Sequence, residues 1–436
     1  LACFIGEKGI KAMVGEKKVI DGLALSLPRG IYIGKSLTAK SATVLRMLRQ
    51  LGYTVVAWDE EGLVWATPEL YRLTKLDSGT LKELVGLFAW GEANASAIRE
   101  YPGFSNIPIY LTGNPRTDLL RPELRGLFTQ EVEQLSRRYG RFILINTNFS
   151  RVNHYYANES HLLNQLRRDE NTNLVRNDLK IGLARHKKQL FDHFIEVLPQ
   201  LADHFPEINI IVRPHPSENH QAWHEAANHK QNVKIIYEGN VVPWIIAAET
   251  IIHNSCTTAV ESFLLDKIAL AYCPIKSEAF DHELPNGLSV QCNNFQQLVE
   301  KVANSLQGNS PMNSINRMQY HELAKQHLAS FERTFASERI AQILEELCKK
   351  PCHKVPLFSR MAGVGTAYWR SSIKKRIEAV IPNHRNNTTY LRHLFPMTSL
   401  QEVENRVNQV SSLLGRFQHL HVNNIAENVF QIEARH

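Results

Sequence analysis

Short apolar segments recur along this chain, and each closes on a glycine or a polar turn. They lie at residues 31–33, 53–58, 84–90, 107–111, 142–146, 208–212, 233–237, 250–253 and 268–272. A strand that is apolar on both faces belongs in a parallel sheet covered by helices. The intervals hold such helices. Residues 40–51 show helical apolar spacing, and 181–204 place Leu190, Phe194, Leu198 and Leu201 on one face. Residues 242–248 and 256–265 fill two further intervals. This βαβ rhythm is interrupted by a polar, charged helix at 129–139. The expected fold is therefore α/β, with two successive open sheets and a cleft between two domains. In such sheets ligands bind outside the carboxyl ends of the strands.

Charge divides the chain differently. Residues 349–436 carry 13 Lys and Arg against 5 Asp and Glu, leaving 37 against 38 in the rest. The body is neutral and the tail is basic, so the tail is expected to meet something anionic. Hydrophobic residues make up 43% and charged ones 21% of the 436, which excludes disordered and collagen-like classes. No apolar run approaches the length that spans a bilayer. Six cysteines give no disulfide framework, which fits a reducing, cytoplasmic setting. Cys348, Cys352 and His353 lack a second ligand pair, so no zinc site is expected.

Three motifs fall at strand ends. Asp59-Glu60-Glu61-Gly62 follows the strand at 53–58. Adjacent acids repel, raising the pKa of at least one, as a general base for a sugar hydroxyl requires. Arg213-Pro214-His215-Pro216 follows the strand at 208–212. Its prolines fix the backbone around one imidazole that can donate to a phosphate oxygen, and Arg213 adds positive charge. His253-Asn254-Ser255-Cys256-Thr257-Thr258 runs from a strand into a helix. There, hydroxyls and free N–H groups favour an anion, and Glu261 lies one turn further on for ribose hydroxyls. Asn146, Asn148 and Arg116 stand at other strand ends as donor or acceptor contacts. Gly30–Ser36 lacks P-loop spacing, and no DxD-type metal motif is present.

In this order the three motifs resemble the signatures of bacterial sialyltransferases and related Kdo transferases. Residues 58–63, 112–116, 142–150, 213–218 and 256–258 are similar to the surface carbohydrate biosynthesis protein family. The resemblance spans most of residues 1–345. It implies a GT-B glycosyltransferase with two Rossmann-like domains, acceptor side first (1–138) and nucleotide-sugar side second (139–345). A basic helical extension (346–436) completes the expected organisation. Carried over, Glu60 deprotonates the acceptor, with Asp59 and Glu61 as rivals, and His215 assists departure of CMP. The phosphate pair is Ser255 with Thr257, or Thr257 with Thr258, because Cys256 interrupts the motif. The implied donor is a CMP-activated nonulosonic or octulosonic acid and the acceptor a surface glycan or glycolipid. No metal and no separate cofactor are required.

Competing expectations are a CDP-polyol phosphotransferase, a UDP-N-acetylglucosamine epimerase-like enzyme and a non-catalytic assembly scaffold. In the tail, Trp369, Ile373, Ile377, Val380 and Ile381 recur at helical spacing beside Arg370, Lys374, Lys375 and Arg376. This reads as a basic amphipathic helix over 369–381 for an anionic membrane surface at the inner face, or as a helix packed on the body. Further helices are expected near 399–415 and 423–432. No nucleic-acid motif is present.

Overall fold

The computed structural model describes residues 1–155, 174–309, 314–350, 354–370 and 397–435. Two compact units are formed. One comprises Leu1–Leu63, Tyr71–Leu119 and Leu328–His436; the other comprises Val64–Leu70 and Leu120–His327. Residues 120–138 thus lie with the second unit and 328–345 with the first, unlike the linear division expected. The contacts explain why. Tyr139 ends the helix Thr129–Tyr139 and stacks on Trp244 at 5.4 Å between centroids, while Arg125 pairs with Asp266 at 2.7 Å. Asp118, in turn, caps the helix Ala336–Cys348 by accepting from the N–H groups of Ala336 and Ser337, both at 2.8 Å.

In chain order the strands are β1 (Ala12–Gly15), β2 (Ile31–Gly34), β3 (Thr54–Ala57), β4 (Gly86–Ala89), β5 (Ile109–Leu111), β6 (Phe142–Asn146) and β7 (Asn209–Arg213). They continue as β8 (Val233–Ile235), β9 (Thr250–His253), β10 (Ala269–Tyr272), β11 (Val290–Cys292), β12 (Leu420–Ala426) and β13 (Val429–Ala434). The first unit holds a parallel sheet in the order β2-β3-β4-β5. The second holds a six-stranded parallel sheet in the order β11-β10-β9-β6-β7-β8. Both are Rossmann-like, so the chain has the α/β, two-unit make-up of the GT-B class expected from its sequence.

The second sheet contains a topological switch. From β6 the chain winds outward through β7 and β8, then returns to β9 on the other side of β6. The loops after β6 and β9 leave this point on opposite sides, and in open α/β sheets it is at such a point that ligands bind. One face of this sheet is sealed by the helix Leu174–His204, whose Leu190, Phe194, Leu198 and Leu201 are buried with Ile143, Ile145, Val212 and Ile252. Phe149 closes the top of that core against Phe194 at 5.2 Å and Trp223 at 6.1 Å.

The tail joins the first unit. Helix Leu400–Leu414 forms as expected, with a capping box at Ser399 and Glu402. The helix expected near 423–432 does not form. Those residues belong to the hairpin β12–β13, and β13 pairs with β1 in a three-stranded antiparallel sheet. Burial of Val422, Phe430 and Ile432 on a two-residue period, with the turn at Glu427-Asn428, outweighs the helical reading. Arg416 locks the ends together, bonding Glu7 and Glu338 while lying over Phe4 at 4.8 Å. A helix is also present at Leu357–Tyr368. Of the amphipathic segment expected at 369–381, only Trp369 and Arg370 are described; Ile373, Lys374, Lys375, Arg376, Ile377, Val380 and Ile381 lie outside the described residues, as do Cys352 and His353. No helix among the described residues is long and apolar enough to cross a membrane.

Candidate functional site

β6 and β9 run side by side in register, Ile145 beside Ile252, so Asn146 and His253 end the two strands next to each other. Arg213 ends β7 on the other side, paired with Asn146. Beyond these ends, Asn148 Nδ2 donates to the Ser255 carbonyl at 2.8 Å and bridges the two diverging loops. The bridge is braced from below. Lys187 Nζ donates to Asn148 Oδ1 at 3.4 Å and lies 5.9 Å from the centre of the Phe149 ring.

Lys187 is 5% exposed, and burial lowers its ammonium to about 8, with Cys256, Asp281 and Glu218 pulling it back up. A desolvated cation beneath these loops suits a phosphate or carboxylate ligand. Its helix neighbour His186 bonds Asp281 at 2.8 Å. Burial raises the Asp281 carboxyl, but the bonds from His186 and the Ser277 N–H outweigh it and hold the pKa below the usual value.

The crest also holds polar atoms that the protein leaves unmatched. Asn146 is 3% exposed, and its Nδ2 has no hydrogen-bond partner. Ser289 Oγ donates to the Pro285 carbonyl, so it accepts from His253 Nε2 at 2.8 Å. The imidazole proton is thereby placed on Nε2, leaving the buried Nδ1 without a partner. Burial, then Lys187, lowers His253 to about 3, so the ring is neutral. Asn254 bonds the Tyr272 carbonyl through Nδ2, while its Oδ1 is unmatched. Buried polar groups in proteins are otherwise almost always paired, so each of these exceptions calls for an explanation, and a ligand is one.

The β7 loop is organised by Glu218, which is fully buried. Its Oε1 accepts from Thr147 Oγ1 at 2.7 Å, Phe149 N at 2.8 Å and His215 N at 3.2 Å, and Oε2 accepts from Trp223 Nε1 at 3.0 Å. One carboxylate thus ties the loop after β6 to the loop after β7. The two loops also meet in an isolated antiparallel bridge between His154 and Glu218, Tyr155 N donating to the Ser217 carbonyl at 2.8 Å. His215 is exposed on this platform. Its Nδ1 accepts from Ser217 N at 3.2 Å, so the neutral ring carries its proton on Nε2.

Arg213, expected at a phosphate, is held by the loop after β8. Its guanidinium donates to the carbonyls of Glu238 at 2.7 Å and Gly239 at 3.2 Å and stacks on Trp244 at 4.9 Å, holding the loop after β8. Burial lowers its pKa to about 10, which leaves it charged. Ser255, expected in the phosphate pair, is likewise held by its neighbours. Its hydroxyl oxygen accepts from His282 N and Asn286 Nδ2, both at 3.2 Å, and its N–H donates to Asn286 Oδ1 at 2.8 Å. Asn286 thereby holds Ser255 at a left-handed φ of 49°, a conformation costly for a residue with a side chain. Cys256, with its thiol pushed up by burial, is the N-cap of the helix Thr257–Leu264. Thr258 Oγ1 donates to the Cys256 sulfur at 3.1 Å, and Thr257 and Thr258 are half-buried at the helix start. Glu261 is buried within that helix.

In the first unit the three acids have separate fates. Glu61 is exposed and paired with Lys75. Glu60 is half-buried and accepts the Trp58 indole N–H at 2.7 Å. Asp59 is 3% exposed, and burial pushes it up to about 6, against the pull of Lys75, the Tyr71 hydroxyl and the Glu61 N–H. Behind it, Asn94 donates to the Tyr71 hydroxyl at 3.2 Å and accepts from Trp90 N at 3.3 Å. The carboxyl poised near neutral pH is therefore Asp59, whereas the sequence pattern favoured Glu60. Arg116 is exposed in the same unit, just after the Asn114 cap of a one-turn helix.

Lys187, Glu218, Asn286 and Tyr71 were not singled out as functional from the sequence. Lys187 carried a signal. It occupies the apolar row Leu183-Lys187-Leu190-Phe194 of its helix, where a lysine is out of place unless it has work in the interior. Among the described residues, no group of three His, Cys, Asp or Glu side chains is placed to hold a metal ion.

No family model and no curated protein sequence matches the chain. Among solved structures, UDP-GlcNAc 2-epimerase of Methanocaldococcus jannaschii with UDP-GlcNAc and UDP is 14% identical over 75% of this chain and 79% of that one, at a TM-score of 0.46. The wall teichoic acid polymerase TagF with CDPG is 9% identical over 73% and 72%, also at 0.46. S. aureus MnaA with UDP is 14% identical over 78% and 82%, at 0.45.

Proposed function

We propose that this chain is a glycosyltransferase that moves a sialic-acid-like or Kdo-like sugar from a CMP-activated donor to a hydroxyl of a surface glycan. The observation that carries the reading is the anion-ready crest of β6 and β9. There a buried lysine, an unmatched amide donor at Asn146 and the start of the helix Thr257–Leu264 belong to the elements around one switch point. The CMP phosphate and the sugar carboxylate are both anions of the kind this crest suits. The choice of CMP rests on the three-motif resemblance.

Asp59 takes the general-base role, because a carboxyl near 6 is ionised at neutral pH yet basic enough to accept a hydroxyl proton. The acceptor oxygen forms the new bond to the anomeric carbon as the bond from that carbon to the CMP phosphate breaks. His215, with its Nε2 proton, donates to the departing phosphate. Lys187 and Asn146 hold the anion without taking part in proton transfer.

Calorimetric titration with CMP, UDP and CDP-glycerol tests the donor class. The reading expects CMP to bind most tightly. Preferential binding of UDP would favour an epimerase-like enzyme and of CDP-glycerol a polyol phosphotransferase, and the absence of any nucleotide binding would leave a scaffold.

A further inference from the structure

The helix Leu357–Tyr368 turns a fully apolar stripe to the outside. It packs against the helix Ala39–Gln50 through its smallest residues, Gly363 and Ala367, where a Cβ on Gly363 would stand 2.8 Å from Gln50 Cβ. On the opposite side Leu357, Met361, Val364 and Tyr368 follow one another at spacings of four, three and four, with Phe358 flanking them. Phe358 is 85% exposed, Leu357 70% and Met361 61%. Apolar side chains this large and this aligned are not left in water by chance.

Along the sequence, the charge that flanks the stripe is of one sign. Lys354 and Arg360 are exposed beside it, and from Lys349 to Arg376 the sequence has eight Lys and Arg and no Asp or Glu. An apolar stripe with aromatic side chains in a cation-rich segment matches the interface of an anionic bilayer: rings and aliphatic chains enter the acyl boundary while cations meet the headgroups. A protein partner would be expected to need some carboxylates answered, and residues 349–376 supply none.

We infer that the outer face of the helix Leu357–Tyr368 docks this protein onto an anionic phospholipid surface. The inference is independent of the donor assigned above, since it concerns where the protein works.

Flotation of the full chain with vesicles tests it, comparing phosphatidylglycerol mixed with phosphatidylethanolamine against phosphatidylcholine alone at low salt. The wild type should float with the anionic vesicles and stay behind with the neutral ones. The double substitution Phe358→Ser with Met361→Ser should reduce flotation by roughly tenfold, because lipid affinity scales with buried apolar area. Both residues are exposed, so the melting temperature of the variant should match the wild type. Arg360→Glu should weaken binding and make it less salt-dependent. Failure of the wild type to float, equal flotation with both lipids, or an unchanged serine variant would each overturn the inference. So would sedimentation showing a self-associated species that the serine pair dissolves without any vesicle binding, which would make the stripe a contact for a second copy.

Discussion

Asn148 donates its side-chain amide to the carbonyl of Ser255 at 2.8 Å, fastening the loop after β6 to the loop after β9 across the point where the chain reverses its winding direction. The Asn148 amide oxygen takes a bond from Lys187, so the fastening sits on a buried cation. Loops at a switch point diverge by topology. Here they are tied, and the tie rests on the charge proposed to hold the ligand.

That charge should cost stability. Lys187 is lowered from 10.5 to about 8, so its ionised form is favoured in the unfolded chain. The stability penalty is complete below pH 8 and is relieved as pH rises toward 10.5. Lys187→Met should therefore stabilise the unliganded protein at pH 7 by roughly 1–3 kcal/mol in denaturant unfolding. The same variant should bind CMP at least about tenfold more weakly by calorimetry. A destabilised variant with unchanged CMP affinity would remove Lys187 from the site.

Asp59 makes a parallel case on the acid side. Its carboxyl rises from 3.8 unfolded to about 6 folded, so folding favours the protonated form. Its stabilising effect is full below pH 4 and is lost as pH climbs through 6. Asp59→Asn should raise stability at pH 7.5 by roughly 2–3 kcal/mol and bring no comparable gain at pH 4. Transferase activity should fall by about 10²–10⁴-fold while substrate affinity is kept. If Glu60→Gln abolishes activity and Asp59→Asn does not, the base is Glu60.

Glu218 is a matter of architecture. Four donors converge on its two oxygens from the loops after β6 and β7 and from Trp223. Glu218→Ala should cost about 3–5 kcal/mol, since all four would be left buried and unmatched. Glu218→Gln should cost less, because its amide keeps one acceptor. A neutral alanine variant would show that the loops are held by something else.

His253 should give the protein an acid limit. Its ring is neutral when folded, with a pKa lowered to about 3, and titrates at 6.5 when unfolded. Stability from this group is present above 6.5 and declines as the pH falls toward 3. His253→Gln should flatten the pH dependence of the unfolding free energy across that window. An unaltered slope would assign acid sensitivity to other groups.

The parallel sheets were legible in the sequence because their strands are apolar on both faces, and Thr250–His253 was found to the residue. The hairpin near 423–432 was not, since its apolar residues satisfy a helical spacing in the string and only pairing with β1 settles the two-residue period. The acidic triplet was visible as a motif. Which acid is perturbed depends on the burial of Asp59 in the folded unit, and no local pattern encodes that. His215 likewise kept its expected strand-end position, whereas Arg213 turned to carbonyls in a loop that the motif does not include.

The proposed function places a nucleotide phosphate on the crest of β6 and β9. A crystal of the protein soaked with CMP measures this directly. A phosphate oxygen is expected within hydrogen-bond distance of Lys187 Nζ or Asn146 Nδ2, beside the Asn148–Ser255 bridge. A well-ordered CMP elsewhere on the protein, with Lys187 still bonded only to Asn148, would contradict it.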